Sequence, residues 1–286
     1  MSFHHEQLQC LIKKNINNFS RLSPDVIVNH ILPHLDNETL IALSSVSTEF
    51  RHLINNNDDL WRKICTSTWP SSLRPMLSHI ISKFLGGYRS FFSDVFPSIH
   101  YRNNPPPPPP VTRFIYAFDV SLHGEQECKP LFTSLQIQRI ETEEEYYLPR
   151  PINFYKRNLN FIHVKIEECE EYLEEKFKLN CVVIEPYRKR AGSLFHWSCK
   201  LVSVKQAFSR VEVVYETVMP GLWEFYTMMV KCEVKVTCFW EDEKEDTLYV
   251  RSIKFAMEDM KGKPLLGKHA AIVLLNAIEN GERKKK

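Results

Sequence analysis

Residues 22–54 read LSPDVIVNHILPHLDNETLIALSSVSTEFRHLI, and this stretch decides how the front of the chain folds. Ser23 and Pro24 mark a helix start, because serine is a preferred N-cap and proline suits the first helical turn. Asp36 and Asn37 break that helix, and Ser47 can cap a later one. Apolar residues recur between these signals at helical spacing: Val26, Ile27, Ile31, Leu35, Leu40, Leu43, Phe50, Leu53 and Ile54. The pattern predicts a series of short helices.

The helical series continues beyond Ile54. Asn55 to Asn57 end the third helix, and Leu60, Trp61 and Ile64 begin a fourth. A three-helix unit of about 45 residues is marginal by itself because it buries too little surface. Some of its apolar side chains must therefore face a partner while others form the internal core, and the sequence does not divide the two groups.

The composition is that of an ordinary globular protein. Of 286 residues, 43% are hydrophobic and 25% are charged, and the net charge of +2 argues against a nucleic-acid binder. The apolar runs are too short for a membrane span of about 20 residues, and we expect no secretion signal. The 8 cysteines include no CxxC pair, so we expect reduced thiols, most of them in the core, in a nuclear or cytoplasmic protein.

Residues 70–103 form a predicted helical connector. Its helix is broken at Gly86-Gly87, and the piece that follows carries an aromatic face that must pack on something. That face consists of Tyr88, Phe91, Phe92, Val95 and Phe96. A run of prolines, Pro105 to Pro110, then favours extended polyproline II. We interpret the run as a spacer; the alternative is a docking ligand for an SH3-like or WW-like module.

The pattern changes from helical to alternating after the prolines. In residues 230–240, VKCEVKVTCFW, alternate residues are apolar, which indicates a half-buried antiparallel strand. The acidic stretch Glu241 to Asp246 is a predicted hairpin turn. Tyr249, Arg251, Ile253, Phe255 and Met257 alternate in the next strand. Weaker strands are predicted at Phe114–Ser121, Leu131–Ile140, Phe161–Ile166, Asn180–Ile184, His196–Ser203 and Val211–Thr217, and a closing helix at Lys268–Glu279.

The front of the chain resembles an F-box. The F-box pattern starts with leucine, proline and a carboxylate, continues through paired aliphatic residues, and closes with a Leu-Trp pair. The matching residues are Pro24-Asp25, Ile31-Leu32, Leu35, Leu40, Leu43, Val46-Ser47, Phe50-Arg51 and Leu60-Trp61. The chain departs from the pattern at Ser23, which separates Leu22 from Pro24, and at Ser47, which replaces the common cysteine. Both departures leave the apolar pattern intact.

Three later segments resemble one group of plant F-box proteins, in which the F-box precedes a β-rich half. The segments are 86–94 (GGYRSFFSD), 182–191 (VVIEPYRKRA) and 257–268 (MEDMKGKPLLGK). The two resemblances and the residue patterns together predict an α+β chain. It would comprise a flexible N-terminus (1–20), an F-box (21–69), the helical connector (70–103), a polyproline linker (104–110), a mostly antiparallel β-rich substrate-binding domain with a C-terminal helix (111–280) and a basic tail (281–286).

The F-box resemblance implies a function. F-box segments bind the Skp adaptor of SCF ubiquitin ligases, and the adaptor hangs from a cullin that carries the RING subunit. The chain would capture a protein substrate as a non-catalytic subunit, with no cofactor, metal, nucleic acid or membrane involved. The expected adaptor-binding residues are Leu22, Pro24, Ile27, Ile31, Leu32, Leu35, Leu40, Leu43, Val46, Leu53 and Trp61.

Three patterns approach metal or nucleotide sites without completing them. Residues 262–269, GKPLLGKH, nearly form a phosphate-binding loop, but His269 replaces the hydroxyl residue that holds magnesium, so we interpret them as a turn and helix start. His30 and His34 have the spacing of a helical zinc pair but lack the glutamate of HExxH. Cys232 and Cys238 would lie roughly 20 Å apart along one strand, so we interpret them as core residues.

A second interpretation keeps the adaptor contact but places the chain outside a ligase, as a Skp-binding or small-ligand-binding module. Co-purification of a cullin would separate the two roles. The acidic runs at 141–145 and 167–175 and the basic run at 188–190 are predicted solvated faces. The basic residues 283–286 are a candidate nuclear import signal, and nucleus and cytoplasm both stay open.

Overall fold

A computed structural model describes residues 22–35, 37–96, 99–100, 113–123, 128–139, 152–153, 162–195, 201–221, 229–241, 244–265, 267–280 and 282–283. The chain divides into two compact units, residues 1–67 and 68–286. The predicted flexible N-terminus at 1–20, the polyproline run at 105–110, the acidic run at 141–145 and residues 284–286 lie outside the described residues. None of the described helices is long and apolar enough to cross a membrane.

The first unit is helical, as the spacing of its apolar residues predicts. Its first helix, α1, is short and continues into a π turn at Ile27–Ile31 and a 3-10 turn at Leu32–His34. The helices are α1 (Pro24–Val26), α2 (Asn37–Val46), α3 (Thr48–Asn55) and α4 (Asp58–Thr68). The predicted caps are confirmed, since Ser23 accepts a hydrogen bond from the N–H of Val26 and Ser47 accepts one from the N–H of Phe50.

A helical layer opens the second unit. It contains a 3-10 turn at Pro70–Leu73, α5 (Pro75–Ile81) and α6 (Gly87–Val95). The predicted break is confirmed, because Gly86 has a φ of 101°, a left-handed conformation that favours glycine. The aromatic face of α6 is largely buried, and Phe91 meets Trp69 edge to face with ring centroids 5.8 Å apart.

The strands form antiparallel sheets, which confirms the predicted α+β class, although the sequence suggested one sheet and the structure has two principal sheets. The strands are β1 (Ile99–His100), β2 (Arg113–His123), β3 (Cys128–Arg139), β4 (Ile152–Asn153), β5 (Ile162–His163), β6 (Phe177–Glu185), β7 (Arg190–Phe195), β8 (Leu201–Ala207), β9 (Arg210–Pro220), β10 (Met229–Glu241), β11 (Lys244–Asp259) and β12 (Glu282–Arg283). The larger, six-stranded sheet has the order β4-β11-β10-β9-β8, with β5 also paired to β11, and the four-stranded sheet has the order β3-β2-β6-β7.

The β10–β11 hairpin is confirmed, but one of its faces was predicted wrongly. The alternate residues Val230 to Cys238 of β10 are buried as expected. In β11 the register shifts so that Thr237 pairs with Ser252 and Cys238 pairs with Val250, which leaves Arg251 as the extra residue of a β-bulge. Because a bulge reverses the alternation, Leu248 and Val250 join the core, and Arg251 is exposed.

A shared hydrophobic core includes residues of both principal sheets and of α8 (Gly267–Asn280). The sequence predicted one apolar face for this helix. The structure buries it on nearly all sides, because Ala270, Ala271, Val273, Leu274, Leu275, Ala277 and Ile278 are all buried. The opposite face of the four-stranded sheet is buried as well, including Ile115 and Val182, and the 3-10 turn and α6 contact strands of this sheet.

Several weaker predictions need correction. The strand predicted at Phe161–Ile166 is only Ile162–His163, and Ile166 begins a 3-10 turn that leads into α7 (Cys169–Lys176). The acidic run at 167–175 predicts a solvated face, but α7 also has a buried side, formed by Cys169 and Leu173. The strand predicted at His196–Ser203 is observed at Leu201–Ala207, with 196–200 outside the described residues. Strand β7 was missed, because the basic run ahead of it obscured a short apolar segment.

Candidate functional site

The candidate site is the surface of the helical unit. Two side-chain hydrogen bonds inside the unit hold its helices together. Trp61 donates its indole N–H to the carbonyl oxygen of Ile54 at 2.8 Å, which ties α4 to the end of α3. Arg51 donates its Nε–H to the carbonyl oxygen of Ser44 at 2.9 Å, which fastens the corner between α2 and α3. Four of the expected adaptor-binding residues are buried: Ile27, Leu32, Leu40 and Trp61. Their side chains are therefore assigned to the core.

The remaining expected residues reach solvent to different degrees. Val46, at the end of α2, is 75% exposed, and Leu22 is 39% exposed. Pro24 is also exposed, whereas Ile31, Leu35, Leu43 and Leu53 are half-buried. The structure thus separates the expected adaptor-binding residues into a buried group and a solvent-accessible group. Seven of them can contact a partner.

One exposed apolar residue was missed as a candidate. Val26 belongs to the apolar spacing of the first helix, which suggested an inward side chain, yet it is 39% exposed. Neighbouring residues of a helix point about 100° apart, so Ile27 is buried whereas Val26 reaches solvent. The apolar spacing in the sequence did not show which of the two faces inward.

In the second unit, a buried polar group fastens the segment 68–74 to the four-stranded sheet. The carboxylate of Asp119 on β2 accepts hydrogen bonds from the backbone N–H and the hydroxyl of Ser71, each at 2.8 Å. Asn180, its cross-strand partner on β6, donates to the carbonyl oxygen of Thr68 at 3.2 Å. Arg74 donates to the carbonyl oxygen of Thr133 on β3 at 2.7 Å.

Burial raises the pKa of Asp119 to about 7, although the bonds from Ser71 and the charge of Arg74 act in the opposite direction. A perturbed carboxyl can mark a catalytic site, but this one is fully enclosed and its oxygens are both used in holding Ser71. Its geometry is that of a structural clamp.

The prediction of a solvated basic face at 188–190 is wrong for Arg188 and Arg190, because both arginines form ion pairs. Arg190 pairs with Asp94 of α6 at 3.0 Å, and Arg188 pairs with Glu279 of α8 at 3.6 Å. The backbone N–H of Ala191 also donates to Asp94. These contacts join α6, β7 and α8, so the arginines brace the fold.

The thiols and histidines of the described residues show no reactive arrangement. Cys65, Cys169, Cys181, Cys232 and Cys238 are buried thiols outside any disulfide, and burial raises the pKa of each, to about 11 for Cys169. A raised pKa keeps a thiol protonated, the reverse of what a nucleophile needs. His30 and His34 are exposed, and no group of three potential metal ligands occurs in the part of the chain that the structure describes.

Comparisons with known proteins bear on the same helical unit. Residues 24–67 match the family model described as F-box-like. The F-box protein At2g27310 of Arabidopsis thaliana is 27% identical over 94% of this chain and 81% of its own length. The probable F-box protein At2g36090 and the F-box protein At3g44326, both from the same plant, are each 28% identical, over 93% and 90% of this chain and 78% and 73% of their own lengths.

These similarities and the helical geometry define the class of the first unit: residues 24–67 form an F-box-like domain. The chain as a whole is similar to plant F-box proteins along most of its length, β-rich part included, as the sequence predicted. The F-box supports the general role of an SCF adaptor subunit that binds a Skp-type partner.

Proposed function

We propose that the chain is the substrate receptor of an SCF ubiquitin ligase. Its F-box unit binds a Skp adaptor, which links it to a cullin and a RING subunit, and its second unit captures a protein for ubiquitination. The observation that carries the proposal is the exposed apolar surface of an F-box: Val46 is 75% exposed, and Leu22 and Val26 are each 39% exposed.

Such a surface suits a protein partner. A standard interface buries about 800 Å² of each partner, and a few apolar anchors supply most of the affinity. The exposed residues named above, with the half-buried Ile31, Leu35, Leu43 and Leu53, supply anchors of that kind. We assign the adaptor contact to this surface, which we call the F-box surface, and not to the buried Ile27, Leu32, Leu40 and Trp61.

In this role the chain needs no reaction of its own. Ubiquitin transfer belongs to the RING subunit and its conjugating enzyme, so the receptor contributes positioning, which raises the effective concentration of the substrate. The buried, protonated thiols of the described residues are consistent with such a role. We also place the chain in the nucleus or the cytoplasm, where a fluorescent fusion would locate it.

The substrate side belongs to the second unit in this proposal. Its described surface presents separate apolar side chains on turns: Leu85, Tyr187, Phe208 and Met260. Phe208 stands at the tip of the β8–β9 hairpin and is fully exposed. These turns are the places where substitution should change substrate capture without affecting the adaptor.

Reconstitution from purified components tests the proposal. The wild-type chain should bind the Skp adaptor and, through it, a cullin with its RING subunit. A double variant, Ile31→Asp with Leu35→Asp, should lose adaptor and cullin together while keeping its circular dichroism spectrum. Leu85→Asp is the matched control, since it places the same charge on a residue that is 95% exposed in the second unit.

Each outcome of the reconstitution has a meaning. Failure of the folded wild-type chain to bind the adaptor would contradict the proposal at its first step. Adaptor binding that excludes the cullin would contradict the ligase role and favour a Skp-binding module that acts outside a ligase.

A further inference from the structure

We propose that Ser23 is a phosphorylation site for a proline-directed protein kinase, and that its phosphate weakens adaptor binding by the F-box surface. The inference rests on the proposed function, because it concerns the regulation of the same surface. Ser23-Pro24 is the one position in the sequence where serine or threonine precedes proline. It is also where this chain departs from the leucine-proline start of the F-box pattern.

The position of Ser23 in the fold makes it accessible. Its side chain is exposed, and its backbone is extended, with φ −65° and ψ 147°, ahead of the first helical residue. Kinase grooves take substrates in an extended form, and a residue before proline already favours that conformation. The Ser23 hydroxyl accepts a hydrogen bond from the N–H of Val26 at a long 3.4 Å. A kinase that engages this hydroxyl therefore breaks only a weak hydrogen bond.

The reaction is an ordinary phosphoryl transfer. The Oγ of Ser23 attacks the γ-phosphorus of ATP, a new O–P bond forms, and the bond to the β-phosphate breaks to release ADP. The hydroxyl proton passes to the catalytic aspartate of the kinase. The product keeps oxygen acceptors at the N-cap, so the first turn of α1 should persist.

The phosphate changes the F-box surface by its charge. Ser23 lies between the exposed Leu22 and Pro24, and the exposed Val26 is three residues after Ser23. A phosphate adds a charge of about −1.5 to −2 at neutral pH, and moving a charge out of water into an apolar contact is unfavourable. We therefore expect the dissociation constant of the adaptor to rise at least about tenfold, a change of roughly 1.4 kcal/mol.

The first experiment treats the folded full-length chain with a purified kinase of the mitogen-activated class and ATP, and maps the product by mass spectrometry. We expect one phosphate on the peptide that contains Ser23 and none on that peptide in Ser23→Ala. Titration of the adaptor should then show weaker binding by the phosphorylated chain. No phosphate at Ser23, or equal affinity before and after treatment, would overturn the inference.

A matched pair of variants tests the charge without a kinase. Ser23→Asp and Ser23→Asn both provide good N-caps, but only the aspartate adds charge. We expect about tenfold weaker adaptor binding by Ser23→Asp than by Ser23→Asn, with the same circular dichroism spectrum. Equal binding would overturn the inhibitory role, whereas failure of the untreated wild-type chain to bind the adaptor would be a failure of the proposed function itself.

Discussion

At the scale of single residues, Asp119 has the most unusual environment among the described carboxyl groups. It is enclosed on the face of the four-stranded sheet beneath the 3-10 turn, and both of its oxygens accept hydrogen bonds from Ser71. Its pKa, raised from 3.8 to about 7, implies that its protonated form is favoured in the folded state more than in the unfolded chain. The contribution of Asp119 to the free energy of unfolding should therefore depend on pH.

The sign of that response follows from linkage. A carboxyl whose folded pKa exceeds its unfolded value adds stability below the unfolded pKa, and the contribution is lost as the pH rises through about 7. Asp119→Asn does not titrate, and it should keep Ser71 in place, because its amide oxygen can accept from the Ser71 N–H and its amide N–H can donate to the Ser71 hydroxyl. We expect the free energy of unfolding of the wild-type chain, relative to the variant, to fall by a few kcal/mol between about pH 4 and pH 8.

Urea unfolding at a series of pH values measures this difference. Ser71→Ala provides a second variant, because loss of the hydroxyl bond to the charged form should raise the pKa of Asp119 further and shift the pH dependence upward. If the free energy of unfolding had the same pH dependence in the wild-type chain and in Asp119→Asn, the raised pKa of Asp119 would be contradicted.

No local pattern around Asp119 predicted its burial or its contact with Ser71. Asp119 lies in a largely apolar strand, RFIYAFDVSLH, and its partner Ser71 is 48 positions away in the chain. Caps are different, because an N-cap acts on residues two or three positions ahead. That is why Ser23 and Ser47 could be identified from their local sequence, whereas the clamp could not.

At the scale of elements, the acidic helix α7 protects a sheet edge. Strand β8 is the last strand of the larger sheet, and the backbone N–H of its Gln206 donates to the Glu170 carboxylate of α7 at 3.1 Å. An edge strand with free N–H groups can pair with another chain. The carboxylate occupies one such group and adds charge beside it.

We expect Glu170→Ala to increase self-association of the full-length chain, because it frees the N–H of Gln206 and removes a charge from the edge. Glu170→Gln is the matched control, since its amide oxygen can still accept the bond. Sedimentation velocity over a range of concentrations would measure the difference. Sedimentation of Glu170→Ala equal to that of the wild-type chain would show that Glu170 does not protect the edge.

The sequence predicted strands and helices correctly where apolar residues recur at a regular spacing over a long, uninterrupted segment, as in β10 and α8. It failed where a non-local or irregular feature intervened. The bulge at Arg251 reversed the faces of β11. Helix α7 was missed because its exposed glutamates outnumber its two buried residues, Cys169 and Leu173.

At the scale of the whole molecule, the second unit begins well before its first sheet. Trp69 and the aromatic face of α6 are buried, and the 3-10 turn and α6 contact strands of the four-stranded sheet. The predicted domain boundary at 111 would separate these helices from the sheet. The division observed at 67/68 keeps them together.

Two fragments test where the unit begins. A fragment of residues 68–286 should fold and unfold cooperatively, because it contains the helical layer and the sheets. A fragment of residues 111–286 should aggregate, because it exposes the outer face of the four-stranded sheet, including Ile115, Ala117, Val182 and Ile184. Cooperative folding of the shorter fragment, judged by circular dichroism and denaturant unfolding, would show that the second unit does not need the helical layer.

We propose that the exposed F-box surface binds a Skp adaptor. The most direct test is a calorimetric titration of the adaptor into the wild-type chain, Val46→Asp and the control Leu85→Asp. Because a central anchor is worth about 2 kcal/mol, we expect Val46→Asp to raise the dissociation constant roughly thirtyfold and Leu85→Asp to leave it unchanged. Equal affinity of all three folded proteins, or no binding by the wild-type chain, would contradict the account.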